Sequence, residues 1–290
     1  KGSPVSQKSC AQCHFTDQKS ESTNQFTHKD YGPVSGISCE SCHGPSRLWE
    51  EIHNKTSWKE LKDRFATLNS AEKKKSFLEA VHIKSAAELA AKGGDFKTWK
   101  KIELNKAGMI TPKMTYSLIN NCYECHTIGD KDLINKTADL DEPHAAGSEF
   151  EIISWLSGEV RHNFQGGDKD KPLNRAISPE KKRYLYLSGK LLFTEHAVRA
   201  LQTATFPSGD EDPTRFYDEM LARLSIGIEE LIEINDMLDS SIVELKTVTK
   251  TLRALQTKIE DEEFSKADLK MADLMLADYL KKHNKAFLKN

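Results

Sequence analysis

The stretch Asn121–His126, NCYECH, places two cysteines two residues apart and a histidine directly after the second. The same C-x-x-C-H pattern occurs as CAQCH at Cys10–His14 and as CESCH at Cys39–His43. Together the three motifs use all six cysteines of the chain. A lone C-x-x-C fits a redox dithiol or half of a zinc site. A histidine after the second cysteine, three times over, fits covalent haem c attachment. On that reading Cys10, Cys13, Cys39, Cys42, Cys122 and Cys125 form thioethers to porphyrin, and His14, His43 and His126 are the proximal iron ligands. The alternative is two four-cysteine zinc clusters, into which six cysteines do not divide. Three covalently attached haem c groups are therefore expected.

Haem also answers a folding problem. Residues 1–50 hold only four branched aliphatics, Val5, Val34, Ile37 and Leu48. That is too little to bury a conventional core against chain entropy, and attached porphyrins supply the missing apolar surface. Lys plus Arg number 42 and Asp plus Glu 44, so no basic excess points to nucleic acid. No apolar run reaches membrane-spanning length. The chain opens on polar KGSPVSQKS rather than on a signal peptide. Haem attachment of this type is expected outside the cytoplasmic membrane. The expectation is therefore a periplasmic or extracellular protein with its signal peptide removed, soluble or peripheral to a membrane.

Composition changes near residue 170. All the cysteines and eight of the ten histidines lie before it, and helix-forming sequence lies after it. QGGDKDKPLN, 165–174, carries Gly166, Gly167 and Pro172 and reads as a linker. The expected domains are a haem domain over 1–167, with a helical insertion at about 55–115, and a helical domain over 175–290. In the insertion, SWKELKDRF, SAEKKKSFLEAV and SAAELAAKG each start on Ser, and Gly93-Gly94 is a stop. In the tail, Ser178-Pro179 predicts a helix start, and Pro207 with Gly209 its end. Asp212-Pro213 predicts a second start. Ile228, Leu231, Leu238, Ile242, Leu245, Leu252 and Ile259 then form one apolar stripe. A single helix from Pro213 to Ile259 would span about 70 Å. Ser265 with Asp268 predicts a capping box for a last helix. Met237, Met271 and Met275 are expected in the core. Three or four long helices suggest an antiparallel bundle, and an extended coiled coil that dimerises is the alternative.

Seven histidines remain for distal ligation. His28, His53, His144 and His162 lie in loop-like or motif-rich sequence and His82 in the insertion; His196 and His283 sit among charged residues, as on a solvated helix face. GISCESCHGPSRLWEEIH, 36–53, resembles a segment of multihaem cytochromes c in which a motif followed by Gly-Pro precedes a Trp and then a ligand histidine. LINKTADLDEPHAAGSEFEIISWLSGEVRHNF, 133–164, is similar to the region after the last haem in the same group. The chain from about residue 5 to 165 thus resembles the superfamily that includes the tetrahaem cytochrome c of ammonia oxidisers, here with three motifs. The resemblance implies distal roles for His162, His144 and His53, and for His28 in QFTHKDYG, 25–32. Four candidates for three irons leave one spare, either structural or binding a haem in a neighbouring subunit. The fold class expected is mainly α: a loop-rich multihaem cytochrome c domain followed by a C-terminal long-helix bundle or hairpin. Phe15, Trp49, Tyr123 and Trp155 suit porphyrin edges, Gly44 and Pro45 the turn after the second motif, and Arg47 and Arg161 haem propionates.

Bis-histidine ligation closes both axial positions and favours electron transfer. The function expected is therefore a triheme electron carrier working between redox partner proteins. Two alternatives stand beside it. One is a multihaem oxidoreductase with one open haem acting on a small nitrogen or sulfur compound. The other is a structural subunit of a haem-protein assembly. The tail is expected to build a homo-oligomer or larger complex. Replacing His162 with Ala should open one iron, giving a new high-spin electron paramagnetic resonance signal and a shifted potential for one haem. A variant spectrum identical to the parent's would remove His162 from the ligand set and promote His28.

Overall fold

Ser178 accepts a hydrogen bond from the Lys181 amide at 3.3 Å, and Pro179 fills the first turn behind it. The longest helix thus starts where its Ser-Pro pair predicts. The structure is a computed structural model that describes residues 13–14, 37–44, 46, 49, 63–80, 102–111, 114–136, 144–147, 150–156, 177–208, 212–238 and 243–287. Its helices, in chain order, are α1 (Cys39–His43), α2 (Ala71–Ala80), α3 (Thr115–His126), α4 (Lys131–Lys136), α5 (Ile152–Ser154), α6 (Pro179–Thr203), α7 (Arg215–Met237), α8 (Val243–Glu260) and α9 (Lys266–Phe287). Shorter helical turns occupy 63–66 and 102–106. The described residues are mainly helical and form no strand beyond an isolated antiparallel bridge between Thr127 and Gly147.

Two compact units divide the chain, Lys1–Thr111 and Pro112–Asn290. The first contains α1 and α2. Ser70 accepts from the Lys73 amide at 3.2 Å and opens α2, as its Ser predicts; the segment SAAELAAKG lies outside the described residues. The second unit contains the third motif and the tail, and the composition change near residue 170 falls inside it. Within it α6 packs on α7 and α9, α7 on α8, and α8 on α9. The connections 238–242 and 261–265 are short, so neighbours run antiparallel and close a four-helix bundle. Ion pairs cross the seams at Lys190–Glu230 (2.5 Å) and Arg199–Asp273 (2.8 Å). Around the bundle, α3 packs on α6 and α9, α4 on α7, and α5 on α6.

The expected single helix from Pro213 to Ile259 does not form. Asp212 is not its cap: Thr214 accepts from the Tyr217 amide at 3.2 Å, and the helix starts at Arg215. That helix ends at Met237, and α8 starts again at Val243. The break folds the apolar stripe back on itself. Ile228, Leu231, Leu245 and Leu252 are fully buried, so the stripe finds its partner surface within the chain. Ser265 and Asp268 do form the predicted box, with the Ser265 amide donating to Asp268 Oδ2 at 2.9 Å and the Asp268 amide to Ser265 Oγ at 3.3 Å. Met237 and Met271, expected in the core, are 76% and 56% exposed.

Gly227, a potential kink by sequence, instead marks the tightest approach of α7 to α6. A Cβ there would lie 2.5 Å from Thr194 Oγ1 and 3.2 Å from Phe193 Cδ1. Thr194 is fully buried and donates to the Lys190 carbonyl at 2.9 Å, so it has no open space to move into. Gly227→Ala gains about 1 kcal/mol of helix propensity but overpacks the seam, which costs about 1–3 kcal/mol. The variant should unfold at a lower temperature than the parent. A higher melting midpoint would show that α6 and α7 separate freely here.

Candidate functional site

Cys122 and Cys125 are three residues apart on α3, and His126 follows at the fourth position from Cys122. On a helix these positions share one face, so the motif needs no special loop to bring two thiols and an imidazole together. The same spacing is helical in the second motif, where α1 begins at Cys39 and ends at His43. Of the first motif, Cys13 and His14 are described and helical, with His14 exposed. Cys10, His28, His53 and His162 lie outside the described residues, as do Phe15, Pro45, Arg47 and Arg161.

The second motif is held from both ends. Ser38 caps α1 by accepting from the Glu40 amide, and its own amide donates to Ser41 Oγ. Glu40 Oε1 accepts from the Ser46 amide at 2.6 Å, which pins the turn after the motif. Gly44 takes φ +80°, and a Cβ there would lie 2.9 Å from the Gly108 carbonyl oxygen. Glycine is thus required twice over, by backbone conformation and by close approach. His43 is 6% exposed. Its carbonyl accepts from the Ile110 amide at 2.9 Å, and its Nδ1 sits 2.6 Å from the Ile110 carbonyl oxygen. A carbonyl can only accept, so Nδ1 carries the proton and Nε2 carries the lone pair. Trp49 packs on Leu104 and Met109 rather than standing open for a porphyrin edge.

The third motif is fixed by aromatic rings and by the bundle. Phe150 stacks on His126 at 4.4 Å between centroids, and Trp155 meets it edge-on at 4.9 Å. Burial lowers the His126 pKa, which favours the neutral imidazole that can bind iron. Tyr123 is buried against Phe150 at 5.0 Å and Phe193 at 6.5 Å, and burial raises its hydroxyl pKa. Beyond His126 the chain pairs with 144–147: the Ile128 amide donates to the Ala146 carbonyl at 2.7 Å. That pairing sets His144, three residues before Gly147, in the segment that crosses the end of α3.

A buried polar network joins α3 to the tail. Glu195 on α6 is fully buried, accepts from the Tyr116 hydroxyl at 3.4 Å and pairs with Arg199. Arg199 also reaches Asp273 of α9. Burial alone would lower the Arg199 pKa, but Glu195 and Asp273 together carry it above the ordinary value. His196, expected on a solvated face, stacks on Tyr123 at 5.9 Å and lies 3.0 Å from Asn120 Oδ1. Sequence reading missed this network. Its one signal is Glu195-His196 standing inside the apolar run of α6, where charge has no place on a stripe buried among neighbours.

Residues 1–44 match the sequence model of the family described as Cytochrome c554 and c-prime. The matched stretch carries the first two motifs and ends one residue past His43. The match supports, at a coarse level, a cytochrome c with covalently bound haem in electron transfer. No curated protein and no solved structure matches the chain.

The buried pair Glu195 and His196 gives opposed pH dependences. Burial raises Glu195 to about 7 from 4.5, against the pull of Arg199. The stability it lends as an acid is complete below pH 4.5 and is lost as pH rises to about 7. Burial and then Arg199 lower His196 from 6.5 to about 4. Its contribution is complete above pH 6.5 and is lost as pH falls to about 4. Tyr116, Asp273 and Lys281 face Glu195 from α3 and α9 and share its field. Between pH 4.5 and 6.5 the two slopes cancel in the parent. Glu195→Gln should make stability rise with pH over that window relative to the parent, by the equivalent of about one proton, and His196→Gln should make it fall. Denaturant melts at several pH values read this directly, and equal slopes in all three proteins would refute it.

Proposed function

We propose that the chain is an extracytoplasmic electron-transfer protein carrying three covalently attached haem c groups, one at each motif. The observation that carries this reading is the clamp on His43: a motif histidine held through Nδ1 by a backbone carbonyl presents Nε2 alone to a metal. The residues fit the group. In α1 and α3 two thiols and an imidazole share a helix face, the donor set that covalent haem needs. The bound haem supplies one-electron redox chemistry. The cysteines hold it, His14, His43 and His126 are its proximal ligands, and the rings of Phe150 and Trp155 fix the orientation of His126 and keep water from it.

Three of His144, His162, His53 and His28 supply the distal ligands in this proposal, and the fourth is structural or binds a haem in a neighbouring subunit. His144 has support of its own, because its segment is tied to the end of α3 by the Thr127–Gly147 bridge. Among the described residues no helix is long and apolar enough to cross a membrane, which is consistent with a periplasmic or extracellular carrier. An electron carrier needs a donor and an acceptor, so redox partner proteins, or further copies of the chain in a larger complex, belong to the proposal. Intact mass tests it: the full-length protein made in a haem-loading host should exceed its polypeptide mass by three haems, with the colour retained after acid-acetone extraction. A mass showing fewer haems, or zinc, would reject the triheme reading.

A further inference from the structure

A cleft of about 510 Å³ opens in the C-terminal unit, walled by Tyr123, Phe150, Tyr186, Phe193, Lys190 and Arg223. Its volume lies within the range of small-molecule and cofactor sites. It borders the third motif on two sides, because Tyr123 is a motif residue and Phe150 stacks on His126.

Two carboxylates, Glu151 and Glu230, line the cleft together with Lys190 and Arg223, and Glu151 has both oxygens engaged by the Ile153 and Ser154 amides. Lys190 is paired with Glu230. Glu219, one turn before Arg223, has both carboxylate oxygens engaged: Oε1 with Arg215 Nε at 2.6 Å and Oε2 with the Ala146 amide at 3.2 Å. Arg223 makes no ion pair among the described residues, and its guanidinium lies over the Phe193 ring, 5.7 Å from the centroid. Gly147 sets it beside the motif. A Cβ on Gly147 would lie 2.2 Å from the His126 carbonyl oxygen and 2.6 Å from Arg223 Nη2. A single hydrogen is all that Gly147 can place between them.

Arginine cannot shed its charge. A guanidinium partly withdrawn from water, with no carboxylate bonded to it and only the already engaged Glu219 in its field, carries a desolvation cost that an anion in the cleft would offset. Its planar fork suits the two oxygens of a carboxylate, and the tyrosine and phenylalanine rings suit a flat apolar body. We propose that the cleft binds the carboxylate of a planar, largely apolar group, with Arg223 as its receptor and Lys190 as the supporting cation. Two sources carry that chemistry: a propionate of the haem attached at Cys122 and Cys125, or a free aromatic carboxylate. The cysteines do not line the cleft, so both sources compete. The first rests on the proposed attachment of haem at the third motif.

Arg223→Gln in the full-length, haem-loaded protein separates them. Peptide mass mapping of the parent is read first. A Cys122–Cys125 peptide without haem defeats the reading of the third motif and leaves the free-ligand arm to decide the cleft. Spectroelectrochemistry comes next. Loss of a cation beside a haem carboxylate leaves that negative charge to stabilise the ferric state, so one haem of the three should move to lower potential. Calorimetry with benzoate is the other arm: the parent should bind it and the variant should bind it at least tenfold more weakly. A lowered potential without benzoate binding assigns the propionate, and lost benzoate binding with unchanged potentials assigns the free carboxylate. Unchanged potentials together with no benzoate binding, or with equal binding in both proteins, would overturn the proposal. Should glutamine unsettle the fold, Arg223→Lys keeps the charge without the fork. It should preserve the potential while weakening benzoate.

Discussion

Burial of Tyr123 ties the third C-x-x-C-H motif to the fold. The residue stands between the two cysteines of the third motif and is 3% exposed. Its ring meets Phe150, Phe193 and His196, and its hydroxyl oxygen would lie 3.3 Å from a Cβ at Gly189 of α6. A C-x-x-C-H segment has little apolar surface of its own, so an isolated motif helix of twelve residues would be marginal in water. Here one aromatic ring packed on α6 beside Gly189 and against Phe150 anchors it. The stability of α3 is thereby drawn from the tail, which itself carries no cysteine.

The second motif solves the same problem without a bundle. Its helix is five residues long, too short to bury a stripe. The chain uses directed hydrogen bonds instead. Ile110 grips His43 through both its amide and its carbonyl, Ser38 and Ser41 close the start of the helix, and Glu40 closes the turn after it. The two motifs share a spacing and differ in what positions their histidine, a carbonyl in one case and stacked rings in the other. Ligand orientation and hydrogen bonding at the imidazole are among the levers that set a haem's potential. Identical motifs in this chain therefore need not give identical redox sites.

The sequence makes legible whatever is encoded locally. The Ser178-Pro179 start, the Ser265–Asp268 box and the mainly α class all follow from residues within one or two turns of each other. What escaped it depends on distance along the chain. The partner of His43 is 67 residues away, and Tyr116 meets Glu195 across 79. The stripe from Ile228 to Ile259 has the right period for one helix, and periodicity does not record that α8 packs back on α7. Gly227 illustrates the same limit. Its sequence context offers a kink, whereas its role is to admit Thr194 of another helix.

The Glu195–Arg199–Asp273 network is costly, since Glu195 must give up its water completely and Arg199 and Asp273 part of theirs. Its value lies in register. The apolar seams of α6 repeat with the helical period, so a slide of one turn, about 5.4 Å, would rebury much of the same hydrophobic surface. The polar contacts do not repeat. Glu195 has Tyr116 of α3 above it and Arg199 beside it, and Arg199 in turn has Asp273 of α9. In a shifted register Glu195 would lose its hydroxyl donor, and a buried polar group left unpaired costs about 1–3 kcal/mol, more when charged. Only one alignment of α3, α6 and α9 satisfies all four groups. That alignment also fixes Tyr123, and through Tyr123 and Phe150 the ring of His126. Charge buried in the tail thus sets the position of an imidazole on another helix, which apolar packing alone would leave free to slip.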